Sequence, residues 1–144
     1  MPKDTISAIM SRWSCRDFIG QTPSDADLKT IAEAALASPS GMNRQHWRVV
    51  VVKNKGLIEE MDAEGMNVIA SLPDKSMHER IMGRGGKLFY GAPVMIVLPV
   101  KEASPQGAEL MDCGIVAENI AIAAAGLGID SVICGLAAFT FAGS

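Results

Sequence analysis

The sequence contains few of the side chains that carry nucleophilic or metal chemistry. Only two histidines occur in 144 residues, and the three cysteines, Cys15, Cys113 and Cys134, lie far apart with no CxxC pair. Neither His46 nor His78 has a cysteine or aspartate partner at the spacing of a catalytic triad or a zinc site. Nucleophilic and zinc catalysis are therefore not expected, and difficult chemistry without such groups generally relies on a bound cofactor.

The chain also lacks a strong net charge and a long uninterrupted apolar run. Its formal net charge is −3 and its pI about 5.3, so bulk electrostatics do not support nucleic-acid binding. The N-terminus has no signal-peptide core. The most apolar stretch is interrupted by Asp112, Glu118 and Asn119, which argues against a membrane span. Three unpaired cysteines suit a reducing compartment, so we expect a cytoplasmic protein.

The composition is that of a globular chain with a high apolar content. Hydrophobic residues make up 49% and charged residues 20%, with a mean hydropathy of +0.22 and 5% aromatic residues. The length predicts a single domain over residues 1–144. The apolar excess has two explanations that stay open here, which are a large interface with a second copy of the chain and an alanine-rich helical core.

Hydrophobic periodicity and turn signals predict a mixed order of helices and strands. The predicted elements are helix 4–14, a helix from 24 to the stop at 39, strand 48–53, helix 55–71, a short helix within 72–87, strand 93–100, helix 108–127 and strand 130–134. No clear element is predicted over 135–144. We expect the first strand to be buried on both faces. Helix 108–127 is apolar on nearly every side, which favours cover by a second subunit.

Local signals also predict helix starts and buried helix faces. Asp4 is a candidate N-cap, and Ser24 begins a capping-box-like pattern with Asp27. The predicted buried faces of the second and third helices comprise, respectively, Leu28, Ile31, Ala35 and Leu36, and Leu57, Ile58, Met61 and Met66.

The first candidate binding feature is the arginine segment, residues 12–16, with the sequence RWSCR. In a strand Arg12, Ser14 and Arg16 share one face, and in a helix Arg12 and Arg16 are neighbours. Arginine forms multidentate hydrogen bonds with phosphate, so the segment is a candidate phosphate site. The structural alternative is that Arg12 compensates the dipole at a helix C-terminus and Arg16 pairs with Asp17 or a more distant acid.

The second candidate feature is the amide loop, residues 39–45, with the sequence PSGMNRQ directly before a valine-rich strand. The side-chain amides of Asn43 and Gln45 each offer two donors and an acceptor, which suits the edge of a heterocycle. The structural alternative is a loop whose side chains cap the preceding helix and satisfy its own backbone.

Taken in order, these motifs resemble the nitroreductase family of FMN-dependent oxidoreductases. The resemblance covers essentially the whole chain, and it is carried by Arg12-x-Ser14-x-Arg16-x-Phe18, by Ala35-x-x-x-Pro39-Ser40-Gly41-x-Asn43-x-Gln45-x-Trp47, by Gly91-Ala92-Pro93-Val94, and by the long helix with Asp112 and Asn119 followed by Gly126-Leu127-Gly128-x-x-Ser131.

The resemblance implies an α+β fold with an antiparallel sheet flanked by helices on both faces, in an intertwined homodimer with FMN at its interface. It implies an NAD(P)H-dependent oxidoreductase that passes electrons through the flavin to nitroaromatic, quinone or similar small-molecule acceptors by a ping-pong scheme. The flavin, and no protein side chain, is then the catalytic group. The alternative is a flavin-binding or structural homodimer without turnover, and a third hypothesis is an interface-forming helical protein with no cofactor.

The resemblance also implies which residues contact FMN. Arg12 and Arg16 hold the phosphate, with Trp13 and Ser14 lining that end. The remaining implied contacts are Pro39, Ser40 and Asn43 from the partner subunit with Gln45 assisting, Lys87 near the flavin pyrimidine, and Cys134, Gly135 and Leu136 beside the isoalloxazine ring.

The end of the sequence departs from the family pattern. Family members generally continue past the third strand with an arm that wraps the partner subunit and adds basic residues at the phosphate. The sequence GLAAFTFAGS, which ends at Ser144, does not match that continuation, so we expect the arm to be missing. The expected consequences are weaker FMN binding, because Arg12 and Arg16 hold the phosphate alone, and an exposed sheet edge.

Overall fold

The computed structural model describes residues 4–100 and 106–141, and within them the chain forms five α-helices and a small two-stranded sheet. The predicted α+β class is confirmed. The elements are α1 (Thr5–Ser11), α2 (Asp25–Leu36), a 3₁₀ helix (Gly41–Asn43), β1 (Val50–Val52), α3 (Lys55–Ser71), α4 (Ser76–Met82), β2 (Met95–Val97), α5 (Ala108–Gly126) and a second 3₁₀ helix (Gly135–Phe139).

The chain divides into two compact units, each assembled from three segments. The first comprises Met1–Cys15, Pro23–Val52 and Ile96–Ile133, and the second comprises Arg16–Thr22, Lys53–Met95 and Cys134–Ser144. A single family domain over residues 1–144 stays a prediction. Across the described stretches 4–100 and 106–141, no helix combines the length and the apolarity that crossing a bilayer requires.

Side-chain caps fix the starts of the first two helices, as the sequence predicts. The Asp4 carboxylate accepts a hydrogen bond from the Ser7 backbone N–H at 3.0 Å. The Ser24 hydroxyl accepts one from the Asp27 backbone N–H at 3.1 Å. Helix α1 ends at Ser11, earlier than predicted, because the backbone becomes extended at Arg12.

The N-cap of α1 gives a pH-dependent contribution to stability. The pKa of Asp4 is lowered from its usual 3.8, first by the hydrogen bond from the Ser7 hydroxyl and then by the one from the Ser7 backbone N–H. A carboxylate whose pKa is lower in the folded than in the unfolded protein stabilises the fold at pH values above the unfolded-state pKa. This stabilisation is lost as the pH falls through the folded-state pKa. We therefore expect Asp4→Ala to lower the melting temperature near neutral pH and to have little effect at about pH 2.

Thermal unfolding followed over this pH range tests the cap. Glu60→Ala is the control, because Glu60 is an exposed carboxylate in the middle of α3. A melting difference between wild type and Asp4→Ala that is equally large at both pH values would show that the carboxylate charge is not what stabilises α1.

The core of the first unit lies where α1 and α2 pack against α5. Ala35, Trp47 and Val116 are buried together, and an antiparallel bridge between Trp47 and Val100 extends the pairing of β1 with β2. The helix–sheet core is completed by half-buried apolar side chains, namely Val49, Leu98, Cys113 and Ile120.

In the second unit, α3 packs against α4 and the second 3₁₀ helix. The close approach depends on Gly65, since a Cβ atom there would collide with the Leu88 side chain and lie 2.7 Å from the Thr140 hydroxyl. That hydroxyl donates a hydrogen bond to the Met61 carbonyl at 3.0 Å, which ties the 3₁₀ helix to α3.

Two strand predictions are wrong. The first strand spans only Val50–Val52, and Val50 is 43% exposed, so the strand is not buried on both faces. Residues 130–134 form no strand, because Ser131 makes only an isolated parallel bridge with Ser14. A short two-stranded sheet thus replaces the larger sheet that the valine-rich pattern suggests.

Two predicted core side chains are exposed, namely Leu36 (56%) and Leu57 (43%). Each lies one residue away from the buried stripe of its helix, which is about 100° around the helix axis. The buried stripe of α2 is Leu28, Ile31 and Ala35, and that of α3 is Ile58, Asp62, Gly65 and Ile69. The sequence also gave no signal for the 3₁₀ helix Gly135–Phe139, and residues 142–144 lie outside the described part of the chain.

Candidate functional site

The arginine segment follows α1 as extended chain, and its residues 12–15 belong to the first unit. Ser14 forms a parallel bridge with Ser131, and the Cys15 backbone N–H donates to the Ser131 carbonyl at 3.0 Å. Of the two geometries predicted for the segment, the strand-like one is therefore found, and alternation places Arg12 and Ser14 on the same side. Arg16 belongs to the second unit, so its convergence with Arg12 stays a prediction.

Two partners orient the side chains at the start of this segment. The Arg12 guanidinium lies 3.8 Å from the Glu118 carboxylate of α5, and both side chains are partly exposed, at 32% and 43%. The Trp13 indole N–H donates to the Asp130 carboxylate at 3.0 Å, although the ring is 55% exposed. Arg12 therefore has an acidic partner that the sequence did not predict, and its guanidinium stays accessible.

The amide loop has an unusual backbone. Met42, Asn43 and Gln45 all have left-handed φ angles, at 55°, 52° and 50°. A left-handed conformation costs a non-glycine residue about 1–2 kcal/mol, less for asparagine. Such a conformation persists only where surrounding contacts impose it.

Two side chains of α5 make contacts with this loop and with the residue before it. The Gly41 backbone N–H donates to both oxygens of the buried Asp112 carboxylate, at 3.2 and 3.3 Å. Just before the loop, the buried Ser38 hydroxyl accepts a hydrogen bond from the Asn119 amide at 2.8 Å. Inside the loop, the Ser40 hydroxyl accepts one from the Gln45 backbone N–H at 2.9 Å.

The loop leaves its own amide groups available. The side chains of Asn43 and Gln45 are exposed, and among residues 4–100 and 106–141 no hydrogen bond involves either side-chain amide. The capping alternative for these two side chains is therefore not what the structure shows. A backbone held by α5, with two exposed side-chain amides that make no hydrogen bond, suits recognition of a polar ligand edge.

In the second unit, a buried aspartate of α3 holds the backbone next to Lys87. The Asp62 carboxylate, 8% exposed, accepts hydrogen bonds from the N–H groups of Leu88 at 3.1 Å and Phe89 at 2.9 Å. The Cys134 thiol lies 3.6 Å from the Leu88 carbonyl, as a weak donor. The structure thus brings Lys87 and the Cys134–Leu136 stretch to the same part of the second unit, with the Lys87 side chain exposed.

A groove of about 600 Å³ runs along one face of α3 in the second unit, opposite residues 82–93. Its lining mixes apolar and sulfur-containing side chains with charged ones, which is typical of small-molecule sites. The principal lining residues are Ile58, Met66, Met82, Phe89 and Pro93, together with Lys55, Glu59, Asn67 and Lys87.

None of the three cysteines forms a disulfide, and the Cys113 thiol is not activated. The pKa of Cys113 is raised, first by burial and then by the charge of Asp112, so this thiol is protonated at neutral pH. Within the described residues, no three His, Cys, Asp or Glu side chains are grouped so as to hold a metal ion.

Sequence reasoning did not identify the residues that hold the two candidate segments, which are Asp112 for the amide loop and Asp62 for the backbone next to Lys87. A signal for both was present, because each carboxylate interrupts a buried helical stripe. Asp62 lies between Ile58 and Ile69 on α3, and Asp112 lies one turn before the fully buried Val116 on α5. A charged residue in such a stripe needs a hydrogen-bonding partner inside the protein.

The family model described as the nitroreductase family matches residues 9–140. A nitroreductase from Desulfitobacterium hafniense DCB-2, whose crystal structure has bound FMN, is 52% identical and superposes with a TM-score of 0.92 over 99% of this chain and 76% of its own. A second FMN-bound nitroreductase, from Bacteroides fragilis NCTC 9343, is 28% identical, with a TM-score of 0.83 over 93% of this chain and 71% of its own.

A protein of Archaeoglobus fulgidus, provisionally named NADH dehydrogenase/NAD(P)H nitroreductase, is 29% identical over 134 residues. The alignment covers 93% of this chain and 68% of the Archaeoglobus protein. A similarly named protein of Methanothermobacter thermautotrophicus is 25% identical, and this chain spans 61% of its length.

Proposed function

Because the chain belongs to the nitroreductase family, we propose that it binds FMN and couples the oxidation of NAD(P)H to the reduction of a nitroaromatic, quinone or similar small-molecule acceptor. The observation that carries the proposal is the amide loop, which presents free Asn43 and Gln45 amides on a backbone held by α5. The FMN bound to the similar nitroreductases and the NAD(P)H in the name of the Archaeoglobus protein support the cofactor and the co-substrate.

The arginine segment fits a phosphate group. An exposed ion pair such as that of Arg12 with Glu118 contributes at most about 1 kcal/mol, whereas a hydrogen bond to a charged group contributes roughly 1.5–3 kcal/mol. A phosphate that accepts several such bonds therefore competes successfully with Glu118 for the guanidinium. In this proposal Arg16 provides the second cation, and the Ser14 hydroxyl donates a hydrogen bond to the phosphate. Trp13 lines the phosphate end of the site.

The remaining candidate residues fit the flavin ring. When bound, FMN would supply two-electron chemistry between NAD(P)H and the acceptor, in the two half-reactions of a ping-pong scheme. The Asn43 and Gln45 amides bind the polar ring edge, with Pro39 and Ser40 beside them. The Lys87 ammonium stabilises negative charge at the pyrimidine end by a fixed electrostatic interaction. Residues 134–136 line the ring face.

The groove beside Lys87 provides the room that a small-molecule acceptor needs. Its apolar and methionine side chains favour contact with an aromatic ring, and its charged lining residues favour polar substituents on that ring. Because Lys87 lines the groove and is also a proposed flavin contact, an acceptor bound there would lie next to the cofactor.

We also propose a homodimer. In the first unit, α1 and α5 carry large apolar side chains that the single chain leaves exposed, with Met10 at 80% and Met111 at 72%. Ile6 on α1 (68%) and Leu110 on α5 (66%) are exposed as well. Large apolar side chains exposed on both helices favour contact with another protein chain. Three cysteines that form no disulfide with one another favour a reducing, cytoplasmic location.

The function is tested by the absorbance spectrum of the purified protein after reconstitution with FMN. We expect flavin bands that bleach on anaerobic addition of NADH or NADPH and return when a quinone is added. Light scattering on the same sample should give twice the 15.2 kDa chain mass. Free FMN with the same reductant is the control for reduction without the protein.

The outcomes separate the three hypotheses. Flavin bands that do not bleach would favour the alternative, a flavin-binding homodimer without turnover. Failure to bind any flavin would contradict the proposal and favour the helical protein without a cofactor.

A further inference from the structure

We propose that Asp112 is the positioning residue that holds the amide loop in its FMN-binding conformation, an inference that rests on the proposed function. Asp112 is on α5, 71 residues from the loop in sequence, and only 7% of the residue is exposed. Both of its carboxylate oxygens accept the Gly41 backbone N–H, at 3.2 and 3.3 Å. A buried charge in this position requires such a donor, so the contact is a strong constraint on both partners.

The loop needs an external constraint because its own backbone does not favour this conformation. Gly41 directly precedes Met42 and Asn43, and both of these, like Gln45, are in the left-handed region. The local hydrogen bonds, such as that from the Gln45 N–H to Ser40, close the loop on itself but do not attach it to the core. Asp112 attaches the loop to α5 at Gly41, directly before the first left-handed residue.

A second contact from α5 defines the direction of the loop. Asn119 is two helical turns from Asp112, on the same face, and its amide holds the buried Ser38 hydroxyl at 2.8 Å. The loop is therefore attached to one rigid helix on both sides of Pro39. With Ser38 and Gly41 fixed, the backbone that carries Asn43 and Gln45 keeps a defined course before any ligand binds.

The test is Asp112→Ala with Asp112→Asn as the conservative variant. We expect the amide loop of Asp112→Ala to be in the binding-competent conformation in about a tenth of the molecules. The apparent affinity for FMN is reduced by that fraction, so binding should weaken by about tenfold. Asp112→Asn should restore part of the loss, since its amide oxygen still accepts from the Gly41 N–H. Flavin-fluorescence titration gives the affinities.

A readout without cofactor is hydrogen exchange at the Gly41 amide in the apoprotein. We expect exchange to be faster in Asp112→Ala than in wild type and intermediate in Asp112→Asn. The control is Ile69→Val, a truncation of a fully buried side chain in the second unit, which should lower the melting temperature but leave both FMN affinity and Gly41 exchange unchanged.

Two results would overturn the inference. One is unchanged exchange at Gly41 in Asp112→Ala, and the other is faster exchange with unchanged FMN affinity. If wild type itself bound no FMN, the proposed function would fail, whereas faster exchange at Gly41 would still support Asp112 as the residue that holds the loop.

Discussion

Replacing Arg16 with alanine is expected to weaken FMN binding by about 10- to 100-fold, because a hydrogen bond to a charged group is worth roughly 1.5–3 kcal/mol and each 1.4 kcal/mol is tenfold in affinity. Arg12→Ala should have an effect of similar size, with little loss of stability, since its exposed pair with Glu118 contributes at most about 1 kcal/mol to folding. Lysine at either position should give an intermediate affinity, because it keeps the charge but loses the planar fork of donors.

The sharpest measurement compares FMN with riboflavin, which has the same ring but no phosphate. Wild type should prefer FMN, and Arg16→Ala should lose most of that preference while its weaker riboflavin affinity changes little. Arg80→Ala is the matched control, because Arg80 is an exposed arginine of α4 outside the candidate site. An FMN preference that survives in both Arg12→Ala and Arg16→Ala would place the phosphate elsewhere on the protein.

Helices were predictable from the sequence because their signals are local. The caps at Asp4 and Ser24 are found as predicted, and α3 and α5 begin at the predicted residues. Each of these depends on residues within one or two turns of one another, so no knowledge of the tertiary structure is needed.

Strands were less predictable because a strand needs a partner that the local sequence does not specify. The valine run before Lys53 has high strand propensity, yet only Val50–Val52 finds a neighbour in β2. Ser131 pairs with Ser14, more than a hundred residues away, at one bridge only. The extent of pairing is set by tertiary contacts and not by propensity.

The candidate site was likewise predictable in its local features and not in its contacts between distant residues. The chemical types in the arginine segment and the amide loop are visible in the sequence, and so is their order along the chain. What holds the amide loop and the backbone next to Lys87 was not predicted, because the contacts of Asp112 with Gly41 and of Asp62 with Leu88 join residues 71 and 26 positions apart. Buried carboxylates within apolar helical stripes are the signal that such contacts exist.

Gly65→Ala is expected to destabilise the second unit, although alanine is the better helix former. Removing a glycine from a helix interior favours the helix by about 1 kcal/mol. Against this, the new Cβ would collide with the fully buried Leu88 side chain and approach the Thr140 hydroxyl to 2.7 Å. Overpacking of this kind costs typically 1–3 kcal/mol, so we expect a net loss of up to about 2 kcal/mol in the free energy of unfolding, measured in urea.

The matched control is Gly114→Ala in α5, where an added Cβ meets no atom of the described residues within 4 Å. Because Gly114 lies one turn from Met111 of the proposed dimer surface, the two variants are compared at protein concentrations at which the chain is monomeric. That variant should gain stability by up to about 1 kcal/mol from helix propensity alone. The two substitutions make the same chemical change, so stability changes of opposite sign would show that the Gly65 effect comes from the packing of α3 on Leu88.

Gly65→Ala should also weaken FMN binding, because Leu88 follows Lys87 and the Leu88 N–H donates to Asp62. Equal stabilisation by both substitutions would mean that α3 does not pack as closely on Leu88 and the second 3₁₀ helix as the structure shows.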